Sequence, residues 1–271
     1  MITDDQRARF RAQGLIRLDR FLPTETVARG REDVLRRLER QGVWKGGAWH
    51  FDHLPPSTMP QGGASLLGAT KRAKVFGELM VPELFAAVAD LLDGRPSFPM
   101  TDYGQVLFTL PNAASWTVPS TVWHVDIPRL SNRGLPGVQA FTFLDTVAPG
   151  GGGTLVVAGS HRLLNTDRRI RSKGVKQHLK REPYFRDLMD ATLPDRSRLL
   201  DETGRVGDVE VRVVELTGEP GDVFLADPRL LHTLAPNASK VPRIMWAQRF
   251  LLEEMREEFL GGPNAEVPAD S

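Results

Sequence analysis

The amino-acid sequence predicts an α+β fold that is mainly β, with helices grouped at its N-terminal side. Apolar residues recur with the helical period of about 3.6 before residue 102 and with the strand period of about 2 after it. Short strand candidates follow, separated by clusters of Pro, Gly and Asn. Many short strands with such turn signals favour an antiparallel sandwich or a closed jelly roll over a parallel α/β sheet.

The first helix is marked by its caps. Thr3 and Gln6 have the spacing of a capping box, so a helix is expected from about Asp4 to a stop at Gly14. The residues Leu15–Leu18 then alternate as a strand.

Two longer helices with an apolar face are predicted next. One opens at Pro23-Thr24 and runs to Gly42, and the other starts around Pro82. The residues expected to face the core are Val27, Val34, Leu35, Leu38, Leu84, Phe85, Val88 and Leu91. Between these helices, residues 43–65 are expected to form a loop rich in aromatic and histidine side chains, the kinds that line pockets.

The β-rich part begins at about residue 102. Its strand candidates are Tyr103–Leu110, Val122–Asp126, Val138–Val147, Thr154–Ala158, Val209–Leu216, Asp222–Ala226 and Ile244–Leu251. A basic helical insert separates two of them, at about 162–190. We therefore expect a single domain over 1–271, with an N-terminal helical part over 1–100, a core over 101–252 and a C-terminal tail over 253–271.

Composition excludes several kinds of chemistry. The chain has 271 residues, 41% of them hydrophobic, which is enough to bury a full core. It contains no cysteine, which removes disulfides, zinc–thiolate sites, iron–sulfur clusters and cysteine nucleophiles. The net charge of +1 gives no reason to expect nucleic acid or a membrane as partner. No signal peptide or membrane span is evident, so a soluble, cytoplasmic location is the expectation.

The most informative residues are His124 and Asp126, read together with His232. Side chains two residues apart on a strand share a face, so His124 and Asp126 are expected to point the same way. Polar groups on the inner face of a β fold need a partner, and a metal is one. With His232 they make the two-histidine, one-carboxylate set that holds non-haem Fe(II).

Arg243 lies at the head of the last strand candidate. A buried guanidinium stays charged and needs an acid partner that accepts two hydrogen bonds. An internal Asp or Glu is one answer, and a dicarboxylate co-substrate is the other. Arg249 shares the same face of the strand by parity and competes for that role.

These residues resemble the iron site and co-substrate anchor of the phytanoyl-CoA dioxygenase family. Further stretches fit in order and spacing, over roughly residues 10 to 252. They are Leu15–Leu22 before a helix, Gly150–His161 with its hairpin and Gly-Ser-His turn, and Gly221–Phe224 before His232. The resemblance implies a double-stranded β-helix, that is, a jelly-roll or cupin-like core.

The resemblance also implies a function. His124, Asp126 and His232 would bind Fe(II), and Arg243 would hold 2-oxoglutarate. With O2, the co-substrate would be converted to succinate and CO2 while a small-molecule substrate is hydroxylated. Related halogenases replace the carboxylate ligand with a small residue, so the intact Asp126 favours hydroxylation.

Other residues receive weaker roles. Gln105 and Thr154 are co-substrate candidates by family analogy, and Trp116 is placed on the substrate side with Trp49. His50 and His53 either contact substrate or cap loop backbone. His161 is expected to be structural, near a turn. The glycine run 150–153 lacks the Gly-Lys-Ser/Thr of a phosphate loop, which favours a hairpin turn.

Several alternatives remain open from sequence alone. The basic insert is either a solvated helix and loop or a lid for an anionic substrate. The protein is either the oxygenase described, a jelly-roll metal enzyme that does not use 2-oxoglutarate, or a non-catalytic small-molecule-binding member of the fold. Substrate identity, the type of oxidation and the oligomeric state are not indicated.

Overall fold

The structure is a computed structural model that describes residues 1–55, 58, 62–127, 134–163 and 170–255. Its α-helices are α1 (Asp4–Gln13), α2 (Thr24–Glu39), α3 (Pro82–Leu91), α4 (Ser172–Leu179) and α5 (Pro183–Leu188). Its strands are β1 (Leu15–Leu18), β2 (Trp44–Lys45), β3 (Ala48–Trp49), β4 (Ser97–Pro99), β5 (Gln105–Thr109), β6 (Gly137–Phe143), β7 (Leu155–Ala158), β8 (Gly204–Val206), β9 (Val209–Glu215), β10 (Val223–Ala226), β11 (His232–Thr233) and β12 (Arg243–Leu252).

The predicted caps of α1 are confirmed. The Gln6 backbone N–H donates to the Thr3 hydroxyl at 3.2 Å, and the Thr3 backbone N–H donates to the Gln6 side chain at 2.9 Å. Gly14 ends the helix with a φ of 73°. A Cβ on Gly14 would lie 2.6 Å from the His161 ring, so this position also requires glycine for space.

The helices α2 and α3 cover the outer face of the larger sheet. The four predicted apolar positions of α2 are buried, and the helix ends at Glu39, before the predicted Gly42. Helix α3 buries Leu84, Val88 and Leu91 as predicted. The prediction for Phe85 was wrong, because this ring is 37% exposed and lies edge-on against Phe250 at the rim of the core.

Two antiparallel sheets form the centre of the molecule. The larger sheet has the order β1-β10-β6-β12-β4, with β5 also paired to β12, and the smaller has the order β11-β7-β9-β8. Side chains of both sheets, among them Phe143 and Met245 from the larger and Val156 from the smaller, pack in one buried cluster between them. The predicted mixed fold with a mainly β, antiparallel core is confirmed at this level.

Alternation along β12 shows how the layers are organised. Ile244, Trp246 and Phe250 face the helical layer, whereas Met245 and Ala247 face the space between the sheets. Arg243 and Arg249 share the parity of the inward-facing residues. Both arginines are therefore placed between the sheets.

The smaller sheet is covered on its other side by the insert. Helices α4 and α5 bury Val175, Leu179, Phe185 and Leu188 against it. The insert is thus a packed layer with a solvated face, and its residues 164–169, which include Arg168 and Arg169, lie outside the described residues. The same holds for the predicted tail beyond residue 255.

Arg196 ties this layer to the segment that precedes His124. Its guanidinium donates to the carbonyls of Val118 (2.7 Å) and Pro119 (3.0 Å), and also to the carbonyl of Asp190. Burial lowers the pKa of Arg196. In the described structure, backbone carbonyls therefore solvate this guanidinium in place of an acidic side chain. The Asp190 carbonyl lies just after the end of α5, where carbonyls lack partners within the helix.

Some predicted elements need correction. Residues 122–126 are not a strand, because Val122 adopts a left-handed φ of 56° and only His124 forms a β-bridge. The glycine run 150–153 is not a hairpin between paired strands, because β6 already has β10 and β12 as neighbours and the run instead leads to the smaller sheet. The loop 43–65 contains the hairpin β2-β3, turned by Gly46-Gly47 at positive φ.

None of the described helices has the length and apolar character that a transmembrane helix requires.

The loop that leads into β11 depends on a buried ion pair. Both Asp227 oxygens accept from the Arg229 guanidinium, which also donates to the Gly134 carbonyl at 2.8 Å. We expect Asp227→Ala to lower the free energy of unfolding by about 3 kcal/mol, since the mostly buried Arg229 would keep its charge and lose the Asp227 carboxylate. Chemical denaturation measures this.

Glu78→Ala serves as the control, because it removes an exposed ion pair with Arg29. We expect it to change the free energy of unfolding by less than about 1 kcal/mol. Equal losses in the two variants would contradict the special importance of the Asp227 pair.

Candidate metal centre

The structure brings His124, Asp126 and His232 together between the sheets. One potential ligand atom from each residue lies within 4.8 Å of the others. Oδ1 of Asp126 is 3.6 Å from Nε2 of His124 and 3.4 Å from Nε2 of His232. His232 is buried, while the His124 side chain is 42% exposed, so the cluster is reachable from one side.

A single backbone pair places the two histidines side by side. The His124 N–H donates to the His232 carbonyl and the His232 N–H donates to the His124 carbonyl, both at 2.9 Å. Residues paired in this antiparallel manner carry their side chains on the same face, and the two rings lie 4.3 Å apart. Val156 of β7 in turn pairs with His232, which fixes β11 to the smaller sheet.

Hydrogen bonds select the tautomer of both rings. Nδ1 of His124 is 3.0 Å from the Val122 carbonyl, and Nδ1 of His232 is 3.0 Å from the Leu230 carbonyl. A carbonyl only accepts, so each Nδ1 is assigned the proton and each Nε2 carries a lone pair. This arrangement is common for histidines that bind a metal through Nε2.

The two oxygens of Asp126 have different surroundings. Oδ1 faces the imidazoles, whereas Oδ2 accepts from Nε (3.0 Å) and Nη2 of Arg249 and from Nε2 of Gln139 (2.9 Å). Burial raises the pKa of Asp126. Hydrogen bonds from the two imidazoles when they carry a proton on Nε2, together with the charge of Arg249, outweigh burial and hold the pKa far below its usual range. The carboxylate is therefore ionised, as a metal ligand must be.

Arg243 is 2% exposed and has no acidic partner among the described residues. Nη2 donates to the Thr109 hydroxyl at 2.8 Å, Nη1 is 3.5 Å from the Thr154 hydroxyl, and no partner for Nε is found in the described part. Burial lowers the pKa of Arg243 to about 10. The internal acid that sequence reasoning allowed is not found there.

Arg249 and the co-substrate candidates are also placed. Arg249 forms an ion pair with Asp126, whereas Arg243 has no carboxylate partner among the described residues. Thr154 lies beside Arg243, while Gln105 is an exposed inward-facing residue opposite Ala247. Sequence reasoning missed Thr109 and Gln139, which strand register places opposite Arg243 and Arg249.

The predicted substrate residues show no contact with His124, Asp126 or His232 in the described part of the chain. Trp49 lines a cavity of about 320 Å³ with Arg31 and Asp145, near the start of β12. His50 is exposed, and Nε2 of His53 is 3.0 Å from the Gln41 carbonyl.

Trp116 packs beside the core on the outer face of the smaller sheet, which also holds Trp123 and Val125. The substrate roles of Trp49, His50, His53 and Trp116 stay predictions.

The turn that contains His161 has a structural contact on each side. Nε2 of His161 is 3.1 Å from the Arg11 carbonyl, and the Ser160 hydroxyl accepts from the Leu231 N–H at 2.9 Å. His161 does not belong to the cluster formed by His124, Asp126 and His232. The turn therefore supports the residue next to His232.

Two imidazoles and one carboxylate between antiparallel sheets are the donor set of non-haem iron oxygenases. The family model "Phytanoyl-CoA dioxygenase (PhyH)" matches residues 10–245. The chain belongs to this family, whose members are oxygenases that use iron and 2-oxoglutarate. The resemblance predicted from the sequence is confirmed.

Solved structures share the fold at low sequence identity. AviO1 from Streptomyces viridochromogenes Tue57 is 21% identical, with 93% of this chain and 96% of that chain covered and a TM-score of 0.53. HygX from Streptomyces hygroscopicus, crystallised with nickel and 2-oxoglutarate, is 18% identical, with 93% and 88% covered and a TM-score of 0.54. The α-ketoglutarate-dependent carbocyclase SnoK from nogalamycin biosynthesis is 18% identical, with 99% and 94% covered and a TM-score of 0.52. A search of curated proteins found no match.

Val122 carries backbone strain next to the cluster. A β-branched residue at a φ of 56° costs about 1–2 kcal/mol, and its side chain is 62% exposed and adds little packing. We expect Val122→Gly to leave the free energy of unfolding unchanged or raise it by up to about 1 kcal/mol, because relief of strain outweighs the added chain entropy. Thermal or chemical unfolding measures this.

Val241→Gly is the matched control, since Val241 is also exposed but has an ordinary negative φ. It should lose roughly 0.5–1 kcal/mol from chain entropy alone. Equal losses at both positions would show that Val122 is not strained.

Proposed function

We propose that this chain hydroxylates a small organic molecule, with iron held by His124, Asp126 and His232 and 2-oxoglutarate anchored by Arg243. The observation that carries the proposal is Arg243, a buried cation with no acidic partner among the described residues and on the same strand face that reaches the His–Asp–His cluster. In this proposal the two sheets are the halves of a jelly roll of the double-stranded β-helix type, and the whole chain is one domain.

The donor set fits iron. The two Nε2 lone pairs and Oδ1 of Asp126 converge, and the protons on Nδ1 are already held by carbonyls. Nitrogen and carboxylate donors in this combination suit Fe(II) and leave further coordination positions for other molecules. When bound, iron would supply the redox chemistry that couples conversion of 2-oxoglutarate and O2, into succinate and CO2, to oxidation of a substrate carbon.

The surroundings of Arg243 fit a carboxylate. The hydroxyls of Thr109 and Thr154 flank the guanidinium and can both donate to an acid, because each hydroxyl carries its own proton. A guanidinium and a carboxylate form two parallel hydrogen bonds, which orients the molecule as well as binding it. Thr154 precedes β7, and β7 pairs with β11, so the anchor and His232 belong to one connected unit.

Substrate approach is proposed from the exposed side of His124. Val122 and Leu234, on the two chain segments that meet at the His124–His232 bridge, are both largely exposed apolar residues. Such a rim suits an organic molecule with apolar surface. HygX was crystallised with hygromycin B, and a small organic substrate is likewise proposed for this chain. Hydroxylation is favoured over halogenation because Asp126 keeps its carboxylate.

The first test requires no knowledge of the substrate. Without oxygen, addition of Fe(II) and then 2-oxoglutarate should produce the visible charge-transfer band of the chelate in the wild type. His124→Ala should abolish the band by removing a ligand, whereas His178→Ala, on the exposed face of α4, should leave it intact. Iron binding without a band would favour an enzyme that does not use 2-oxoglutarate, and no iron binding would refute the proposed centre.

The second test concerns the anchor. Arg243→Ala should weaken binding of 2-oxoglutarate to the metal-loaded protein by roughly 10- to 150-fold, the equivalent of about 1.5–3 kcal/mol for hydrogen bonds to a charged group. Metal affinity should be unchanged, since Arg243 touches none of the three ligands. Titration of 2-oxoglutarate measures the effect, with Arg212→Ala, which removes an exposed arginine of β9, as the control. An unaltered affinity would place the carboxylate elsewhere.

A further inference from the structure

Asp126 lies on a segment that the sheets hold at one point only. Within the described residues 118–127, only His124 forms a β-bridge, and Asp126-Ile127 is a bend. Val125, between them, is held by the Ser172 side chain, whose hydroxyl accepts from its N–H at 3.2 Å and donates to its carbonyl at 3.0 Å. Strand pairing therefore does not set the orientation of the Asp126 carboxylate. Side-chain contacts set it.

Apart from the two imidazoles, the side chains that donate to Asp126 in the described part of the chain all bond to Oδ2. Arg249 donates through Nε and Nη2, and Gln139 donates through Nε2. The side chains in this contact are mostly buried: that of Asp126 is 11% exposed, that of Arg249 is 27% exposed, and Gln139 is buried. The oxygen Oδ1 is left facing Nε2 of both histidines.

Arg249 and Gln139 are themselves fixed by the sheet. They are directly opposite each other on β12 and β6, two central strands of the larger sheet, and both point between the sheets. A cross-strand pair on a rigid sheet can orient the Asp126 side chain precisely, although the backbone of Asp126 is not paired with a strand.

We propose that Arg249 and Gln139 are positioning residues that hold Oδ2 and leave only Oδ1 of Asp126 for the metal. This inference rests on the proposed function. A carboxylate with both oxygens free can bind a metal through one or both of them. Binding through both would fill a coordination position that the co-substrate and oxygen need.

Two effects of Arg249 oppose each other. Its positive charge lies close to the metal position and weakens metal binding by repulsion, whereas its hydrogen bonds orient the ligand and strengthen binding. Orientation of the ligand is the larger of the two effects. Loss of Arg249 should therefore weaken metal binding, and a lysine, which keeps the charge but not the planar fork, should not fully replace it.

The experiment is a Co(II) titration of the full chain, followed by calorimetry and by the visible absorption of cobalt. Arg249→Gln should weaken Co(II) binding by about 10- to 100-fold, the usual range for residues that hold a metal ligand. Arg249→Lys should fall between wild type and Arg249→Gln, and Gln139→Leu should show a smaller loss. The intensity of the cobalt absorption, which depends on coordination, should also change in the double variant Arg249→Gln/Gln139→Leu.

Arg31→Gln is the matched control. Arg31 also donates through Nε (2.9 Å) and Nη2 (2.8 Å) to a single aspartate oxygen, Oδ2 of Asp145, and the pair is similarly half-buried. Loss of this pair should leave Co(II) affinity and absorption unchanged, which separates ligand positioning from general loss of stability.

The outcomes separate the two proposals. If the wild type binds no Co(II), or if Asp126→Ala binds it equally well, the proposed function fails. If Asp126→Ala loses binding while Arg249→Gln and Gln139→Leu bind Co(II) as the wild type does, with the same absorption, the positioning role is overturned. Tighter binding in Arg249→Gln would also overturn it, because repulsion would then be the larger effect.

Discussion

The reciprocal backbone pair between His124 and His232 is the contact on which the centre depends. It joins an irregular segment to a strand of two residues, and it sets the two imidazoles side by side. Three neighbouring contacts stabilise this pair. Strand β7 pairs with β11, the Ser160 hydroxyl accepts from the Leu231 N–H, and the Asp227–Arg229 ion pair stabilises the loop before β11. A pair of short segments can be this well placed because rigid neighbours surround it on both sides.

Two arginines on one face of β12 have contrasting surroundings. Arg249 lies against a carboxylate, whereas Arg243 is buried more deeply and its partners among the described residues are two hydroxyls. A buried charge without a counter-ion is costly, so such a position is uncommon unless a ligand completes it. The contrast supports distinct proposed roles for two residues that residue type and parity alone did not distinguish.

Local signals predicted local structure well. The caps of α1, the apolar faces of α2 and α3 and most strands of the core followed from short-range patterns. The three members of the cluster were found from type and spacing, although the reason offered, a shared strand face over residues 122–126, was wrong because Val122 leaves the extended region. Thr109 and Gln139 could not be found, because their partners depend on strand register between segments more than a hundred residues apart. Likewise, the positions of Trp49, His50 and His53 depend on how the N-terminal layer packs.

If Arg243 anchors an acid as proposed, its deep burial would connect the stability of the fold to the supply of small acids. A molecule that binds the folded chain and not the unfolded one stabilises it in proportion to the logarithm of its concentration over its dissociation constant. An acid that pairs with Arg243 also removes the cost of an uncompensated charge inside the protein. The resistance of this protein to unfolding, and with it the protein's lifetime against proteolysis, would then rise and fall with the dicarboxylate level around it.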